Sequence, residues 1–394
     1  MKKSLTLLLL FVSAVLANAQ GLELKDWQII NSAEIKAAGE AVSKADFRTD
    51  GWFRAQVPTT VLNALVKEGV YPDPRIGLNN YLIPDVSDEF NERLDLAKYN
   101  YLESGRNPWQ DPYWYRTEVV VPRSFKGRKV WLTLYGINYR ADVWVNGKKV
   151  ADHEDIVGMF RRFRLDVSDF VKAGQKNGIA LKIYQVDHPG TPTPGTQFVP
   201  LGPVRGHSTD IFQDETLKIS GGWDCAPSVR DRNMGIYQKV TLHATDEVTI
   251  ENPFVSTTVS DSTLAHISIK VELANHSDRQ VKGKLNARIS LIDEVKFPTY
   301  TKKMEGKMKP IRISEGITLQ PGEKRTIELS EKDFPSLAVK DPHLWFPNGY
   351  GEQWLHHLKL SFDEGAKCSD VKELDFGIRE VRQDLLKNGD NYGR

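Results

Sequence analysis

Residues 113–122 read Tyr113-Trp114-Tyr115-Arg116-Thr117-Glu118-Val119-Val120-Val121-Pro122. Tyr113, Tyr115, Thr117, Val119 and Val121 fall on one side of a period-two pattern, and Trp114, Arg116, Glu118 and Val120 on the other. That is the pattern of a strand whose two faces meet different surroundings, and Pro122, which cannot donate to a ladder, stops it. Neighbouring segments repeat the signal. Lys129–Tyr135 (K-V-W-L-T-L-Y) predicts a second strand, and Arg161–Asp166 and Ile179–Gln185 two more. Ala141–Val150 carries Asn146-Gly147, a dipeptide suited to a type I′ hairpin because both central residues need positive φ. One helix is readable, at 59–69: Pro58 precedes it, Thr59 or Thr60 can cap it, Val61, Leu62, Leu65 and Val66 form its apolar face, and Gly69 ends it. Many short strands with turn signals between them predict an all-β sandwich and not an α/β domain.

The 394 residues suffice for two or three domains. With 40% hydrophobic and 27% charged residues the composition is that of an ordinary globular chain. A formal net charge of +1 argues against nucleic acid or an anionic membrane as partner, since either needs a concentrated basic face. The start, M-K-K-S-L-T-L-L-L-L-F-V-S-A-V-L-A-N-A-Q, has two lysines, an apolar run and Ala17-Asn18-Ala19. It predicts a secretory leader over 1–19, cleaved near Ala19, and hence a periplasmic or secreted product. The run is too short to span a bilayer, and no insertion into a membrane is expected. Cys225 and Cys368 are expected in different domains as unpaired, partly buried thiols, and neither has a second Cys or His at metal-ligand spacing. Adjacent His356 and His357 point to opposite faces of a strand, which is poor geometry for one metal. No metal ligand set stands out.

The first sandwich is expected over 20–245. Within it, residues 187–205 are too rich in proline and glycine for regular structure, and a loop of that length tends to serve function. From residue 246 the strands become plainer: Ala265–Ala274, Gly283–Ile292, Lys324–Leu329 and Leu355–Phe362, with a turn at Gln320-Pro321-Gly322-Glu323. The region 246–378 suits a seven-stranded immunoglobulin-like sandwich.

Five stretches resemble one family, in order. Asp111-Pro112-Tyr113-Trp114-Tyr115-Arg116 and Ala141-Asp142-Val143-Trp144-Val145-Asn146-Gly147 resemble the sugar-binding, galactose-binding-like jelly roll of glycoside hydrolase family 2. Gly222-Trp223-Asp224, followed by Asp231-Arg232-Asn233-Met234-Gly235-Ile236, is similar to the loop closing that domain in the exo-β-glucosaminidase and β-mannosidase branch. The stretches 341–351 (D-P-H-L-W-F-P-N-G-Y-G) and 376–381 (F-G-I-R-E-V) resemble the end of its immunoglobulin-like domain and the approach to its catalytic barrel. The run Val57-Pro58-Thr59-Thr60-Val61-Leu62, with Pro72-Asp73-Pro74 and Gly77-Leu78-Asn79-Asn80, leans toward the same branch.

The resemblance implies exo-hydrolysis of β-glucosaminides or β-mannosides with retention and without a cofactor. Retention requires two carboxyls about 5 Å apart. In the family both are glutamates on a (β/α)₈ barrel, which takes about 250 residues. Residues 379–394 read as only the start of the connection to it, so no catalytic residue is expected in this sequence. The barrel is the expected partner. Asn91-Glu92 mimics the family's acid/base pair but precedes the first sandwich strands, and is set aside as coincidence.

By position, the resemblance assigns Trp223 and Asp224 to the rim of the sugar pocket. The chemistry agrees, because a glycoside pocket needs an aromatic face for the sugar ring and a carboxylate for its hydroxyls or ammonium. Cys225 stands where the family often has a second tryptophan. The competing reading packs Trp223 on its own sandwich and makes Asp224 a turn cap. Asp231, Arg232 and Asn233 are assigned to fixing the loop or to the interface with the barrel. Trp144 is assigned to the core, Trp345 to a domain junction, and Arg161, Arg162 and Arg164 to a solvated strand face. Two rival functions stand beside the glycosidase: a free-standing secreted carbohydrate-binding protein, and a scaffold for protein contacts.

Overall fold

The computed structural model describes residues 21–77, 79, 83, 108–188, 214–217, 233–296, 300–382, 386–388 and 391–393. The leader at 1–19, Asn91-Glu92, Trp223, Asp224, Cys225, Asp231 and Arg232 lie outside the described residues. The chain divides into two compact units, one ending at Ala244 and one beginning at Thr245. Each is built of β-sheets, and among the described residues no helix is long and apolar enough to cross a membrane.

In the first unit a six-stranded sheet runs in the order Phe53–Gln56, Asp26–Asn31, Tyr113–Val120, Lys176–Tyr184, Arg140–Val145, Lys148–Ala151. A four-stranded sheet runs Leu22–Glu23, Val240–Thr245, Lys129–Leu134, Phe163–Asp166. Period-two side chains from both, such as Ile29, Tyr115, Leu132, Leu134, Val143, Leu181 and Leu242, form one core. The hairpin forms as its dipeptide demands: Asn146 and Gly147 have φ of 49° and 84°, and Val145 pairs with Lys148. The helix spans Val61–Lys67, with the Thr60 side chain accepting from the Asn63 amide at 3.2 Å and Gly69 at φ 76° beyond its end.

One strand departs from its pattern. Tyr113–Val120 is buried on both faces as far as Thr117. Trp114 and Trp144 pack there with Ile30, Val42 and Ala180 in a second small cluster, which places Trp144 in a core. The cover is the segment around the short helix Gly39–Val42. A Cβ on Gly39 would lie 2.1 Å from the Trp144 indole, so only glycine lets the backbone come this close. Arg116 holds the cover from below, its Nε donating to Val42 O and its Nη2 to Lys44 O, both at 2.8 Å.

Arginines 161, 162 and 164 are not simply solvated. They lie over the rings of Phe163, Tyr135 and Trp131 at 4.9, 4.7 and 4.4 Å, because a guanidinium on a sheet flank finds its best contact on an aromatic face.

The second unit pairs Val248–Asp261, Leu264–Asn275 and Lys324–Leu329 in one sheet, with Ala338–Lys340 added beside Leu264–Asn275. The other sheet runs Ile311–Leu319, Val281–Leu291, His356–Glu364, Lys367–Phe376. Among the described residues, seven strands thus make the two sheets, and Ala338–Lys340 is a short eighth. Its core is separate and aliphatic, with Phe362. His356 is buried and His357 points the other way, to Asp375 at 2.7 Å. Cys368 is exposed and not partly buried as expected, since it sits where the two strands of its hairpin shift register.

Candidate functional site

Thr216 and Asn233, on either side of segment 218–232, converge on Asn138, which follows the strand Lys129–Leu134 and is 2% exposed. Its carboxamide works in both directions. Thr216 Oγ1 donates to its Oδ1 at 2.9 Å, and its Nδ2 donates to the Asn233 carbonyl at 3.0 Å. Its backbone exchanges two hydrogen bonds with Gly235, at 2.9 and 2.7 Å. Residues 216 and 233 are therefore tied to one side chain.

The tripeptide Met234-Gly235-Ile236 explains itself from this arrangement. Gly235 and Ile236 pair with Thr60 and Thr59 at the start of the helix, and the Val61 amide donates to Met234 O at 2.9 Å. Met234 and Ile236 are buried. Gly235, at φ 144°, lies between them, and a Cβ there would meet Tyr115 Oη at 2.7 Å and Thr59 O at 2.8 Å. The chain thus returns from segment 218–232 through a slot that admits only glycine.

The described residues flanking 189–213 are also hydrogen-bonded. Asp214, 9% exposed, accepts from the His188 amide at 2.6 Å, and its other oxygen lies 3.2 Å from His188 Nδ1. Arg140 grips Asp187 with a fork, Nε to Oδ1 at 2.7 Å and Nη2 to Oδ2 at 2.5 Å. Both ends of 189–213 are thus anchored within a few residues of each other.

Of the residues assigned to sugar binding or to fixing the loop, only Asn233 is described. It is half-buried, and its backbone carbonyl is what Asn138 holds. Trp223, Asp224, Asp231 and Arg232 lie outside the described residues. Sequence reasoning missed Asn138, Asp214 and Thr216. A buried Asn two residues after Gly136, just past a strand of alternating apolar residues, was the available signal.

It also missed a polar cluster. Asp142, Asp152 and His153 bring one ligand atom each within 4.8 Å of one another. The positive charge among them is the Lys149 ammonium, 2.9 Å from Asp142 and 2.5 Å from Asp152. With Tyr184 donating to Asp142 at 2.7 Å, the set reads as a satisfied ion cluster tying three strands. The second unit has an open cavity of about 440 Å³ lined by Leu291, Asp293, Gly306, Lys307 and Met308. Its single carboxylate cannot provide the two that glycoside hydrolysis needs.

Residues 27–238 match the family described as Glycosyl hydrolase 2 galactose-binding domain-like, and residues 248–379 match Glycosyl hydrolases family 2. A mannosylglycoprotein endo-beta-mannosidase of Lilium longiflorum is 28% identical, over 90% of this chain and 33% of its own length. An exo-beta-D-glucosaminidase of Amycolatopsis orientalis is 27% identical, over 92% of this chain and 28% of its own length. Among solved structures, the Amycolatopsis orientalis exo-chitosanase complexed with PNP-beta-D-glucosamine superposes with a TM-score of 0.65 at 24% identity, covering 94% of this chain and 34% of that one. A beta-D-mannosidase from Dictyoglomus thermophilum gives 0.60 at 20% identity, covering 94% and 38%. The fold is shared, and the chain spans about a third of the length of these relatives.

Proposed function

The chain belongs to glycosyl hydrolase family 2, and from that premise we propose that it supplies the sugar-binding and immunoglobulin-like domains of an exported, retaining exo-β-glycosidase acting on β-glucosaminides or β-mannosides. The names of the relatives support the substrate class, and the third of their length that is matched supports a non-catalytic role. In this reading the acid/base and nucleophilic carboxyls belong to a barrel, and this chain's part is to bind and orient the sugar.

The observation that carries the reading is the double tether at Asn138. Holding residues 216 and 233 on one buried carboxamide fixes both ends of the segment that bears Trp223 and Asp224. An aromatic and a carboxylate on a segment with fixed ends can be presented to a substrate with little ordering cost at the moment of binding. Trp223 would cover the apolar face of the terminal sugar. Asp224 would accept from its hydroxyls, or pair with its ammonium where the sugar is glucosamine.

The test is kinetic, on the polypeptide encoded by the complete reading frame, with aryl β-D-glucosaminide and aryl β-D-mannoside. Trp223→Ala and Asp224→Asn should each lower kcat/KM by about tenfold or more, and the first sugar released should keep the β configuration. Release of neither sugar, an inverted first product, or unchanged kinetics in both variants would overturn the reading.

A further inference from the structure

Tyr135 follows the strand Lys129–Leu134, and two cations meet on its ring. The Arg162 guanidinium lies 4.7 Å from the ring centroid and the Lys239 ammonium 4.6 Å. The charges are therefore within about 9 Å of each other, close to the screening length of physiological salt. Both side chains are exposed, and among the described residues neither has a carboxylate partner. Asp166, the acid of the neighbouring strand Phe163–Asp166, is engaged by Lys129 at 2.9 Å.

The backbone beneath is built and not incidental. The Tyr135 amide donates to Lys239 O at 3.1 Å, and Tyr237 OH donates to Met159 O at 2.6 Å. The Tyr237 ring lies on Gly136, where a Cβ would come within 2.7 Å of it. Three separate stretches of chain are thus locked together, and Arg162 and Lys239 arrive from two of them. An aromatic face attracts each cation but cannot cancel two unit charges. An oxyanion can, because a guanidinium fork and an ammonium are complementary donors to carboxylate and sulfate.

We propose that Tyr135, Arg162 and Lys239 form a subsite for the oxyanions of an acidic polysaccharide, either uronate carboxylates or sulfate esters. The saccharide part rests on the family reading above; the anion part rests on the two unpaired cations alone. The subsite would hold a chain that carries negative charge, beyond the neutral or amino sugar taken at the pocket.

Calorimetric titration of the whole chain tests this, with oligogalacturonate, heparin-derived oligosaccharide, mannan oligosaccharide and inorganic sulfate as separate probes, at about 50 and 300 mM NaCl. At least one acidic oligosaccharide should bind about tenfold tighter than the mannan oligosaccharide and weaken at the higher salt. Galacturonate carries carboxylate alone and heparin both carboxylate and sulfate, so binding of galacturonate assigns carboxylates, and binding of heparin without galacturonate assigns sulfate esters. The double variant Arg162→Ala, Lys239→Ala should lose about tenfold or more, while Arg162→Lys with Lys239→Arg keeps most of it. Both residues are exposed, so unchanged near-ultraviolet dichroism should accompany the loss. Equal binding by the alanine variant, equal affinity for mannan, or inorganic sulfate binding as tightly as the oligosaccharides would overturn the proposal. Failure of the full-length protein to hydrolyse any β-glycoside would instead sink the glycosidase reading and leave the anion titrations standing.

Discussion

Asp142 shows how much one side chain carries. It is 4% exposed, and both oxygens are used: Oδ1 accepts from Lys149 Nζ at 2.9 Å and from the His153 amide at 3.0 Å, and Oδ2 from Tyr184 OH at 2.7 Å. Burial pushes its pKa up, but the bonds from Lys149, Tyr184 and His153 outweigh that and hold it below the ordinary carboxylate range. A carboxyl depressed in this way contributes stability above its unfolded pKa of about 3.9, and loses it as pH falls through the folded value. Asp142→Ala would take the acceptor from the Tyr184 hydroxyl and the His153 amide and leave Lys149 with Asp152 alone, and should cost about 2 kcal/mol in urea denaturation at neutral pH. A loss under about 1 kcal/mol would mean that water replaces the carboxylate without penalty. His356 works with the opposite charge. It is fully buried, stacks on Phe376 with centroids 5.5 Å apart, and among the described residues neither ring nitrogen has a hydrogen-bond partner. Burial, with His343 nearby, lowers its pKa to about 4. The unfolded chain, with a histidine pKa of about 6.5, binds the proton that the folded chain refuses, so stability is full above that value and drains away as pH falls toward about 4. His356→Phe should flatten the stability profile between about pH 6.5 and 4.5. An unaltered slope would place the acid sensitivity elsewhere.

At the scale of elements, what was legible depended on whether the cause was local. The hairpin at Asn146-Gly147, the capped helix Val61–Lys67 and the strand Lys324–Leu329 were readable because turn chemistry, capping and alternation each lie within a few residues. Burial on both faces of Tyr113–Val120 was not, because its cover contains a helix of only four residues, Gly39–Val42, with no periodic signature. The tether at Asn138 was hidden for a related reason: its partners lie 78 and 95 residues away along the chain, and no local pattern announces them. The assignment of Trp223 and Asp224 rests on the family resemblance and on the chemistry of an aromatic beside a carboxylate, and both residues lie outside the described residues. Two predictions belong here. Gly39→Ala would drive a methyl into the Trp144 indole, with contacts of 2.1 to 2.5 Å to relieve. The cover must lift, so stability should fall by about 2 kcal/mol or more and tryptophan emission should shift to the red as Trp114 and Trp144 meet water. Wild-type emission in that variant would show that the cover adapts. Asn138→Ala should leave the sheets intact, cost about 1 to 3 kcal/mol, and make segment 218–232 a preferred site of proteolysis, because Thr216 and the Asn233 carbonyl lose their common partner. Cleavage there no faster than in the wild type would mean that the segment is held by other contacts.

Among the described residues there are two large hydrophobic cores, beside the small cluster at Trp114 and Trp144. The first gathers side chains from Leu24 to Ala244, and the second from Val248 to Ile378, with no residue in common. Each unit is of a size that folds alone. A chain of this kind is not expected to unfold in a single step. The probes can be chosen from the sequence, since seven of the nine tryptophans precede residue 245, and only Trp345 and Trp354 follow it. Tryptophan fluorescence in urea should therefore report mostly the first unit, while far-ultraviolet dichroism reports the strands of both. The two curves should separate. A polypeptide beginning at Thr245 should give a cooperative dichroism transition whose midpoint matches one of the two in the whole chain. Coincident curves in the whole chain, together with an unfolded second unit on its own, would mean that the two cores do not melt independently and that neither unit stands without the other.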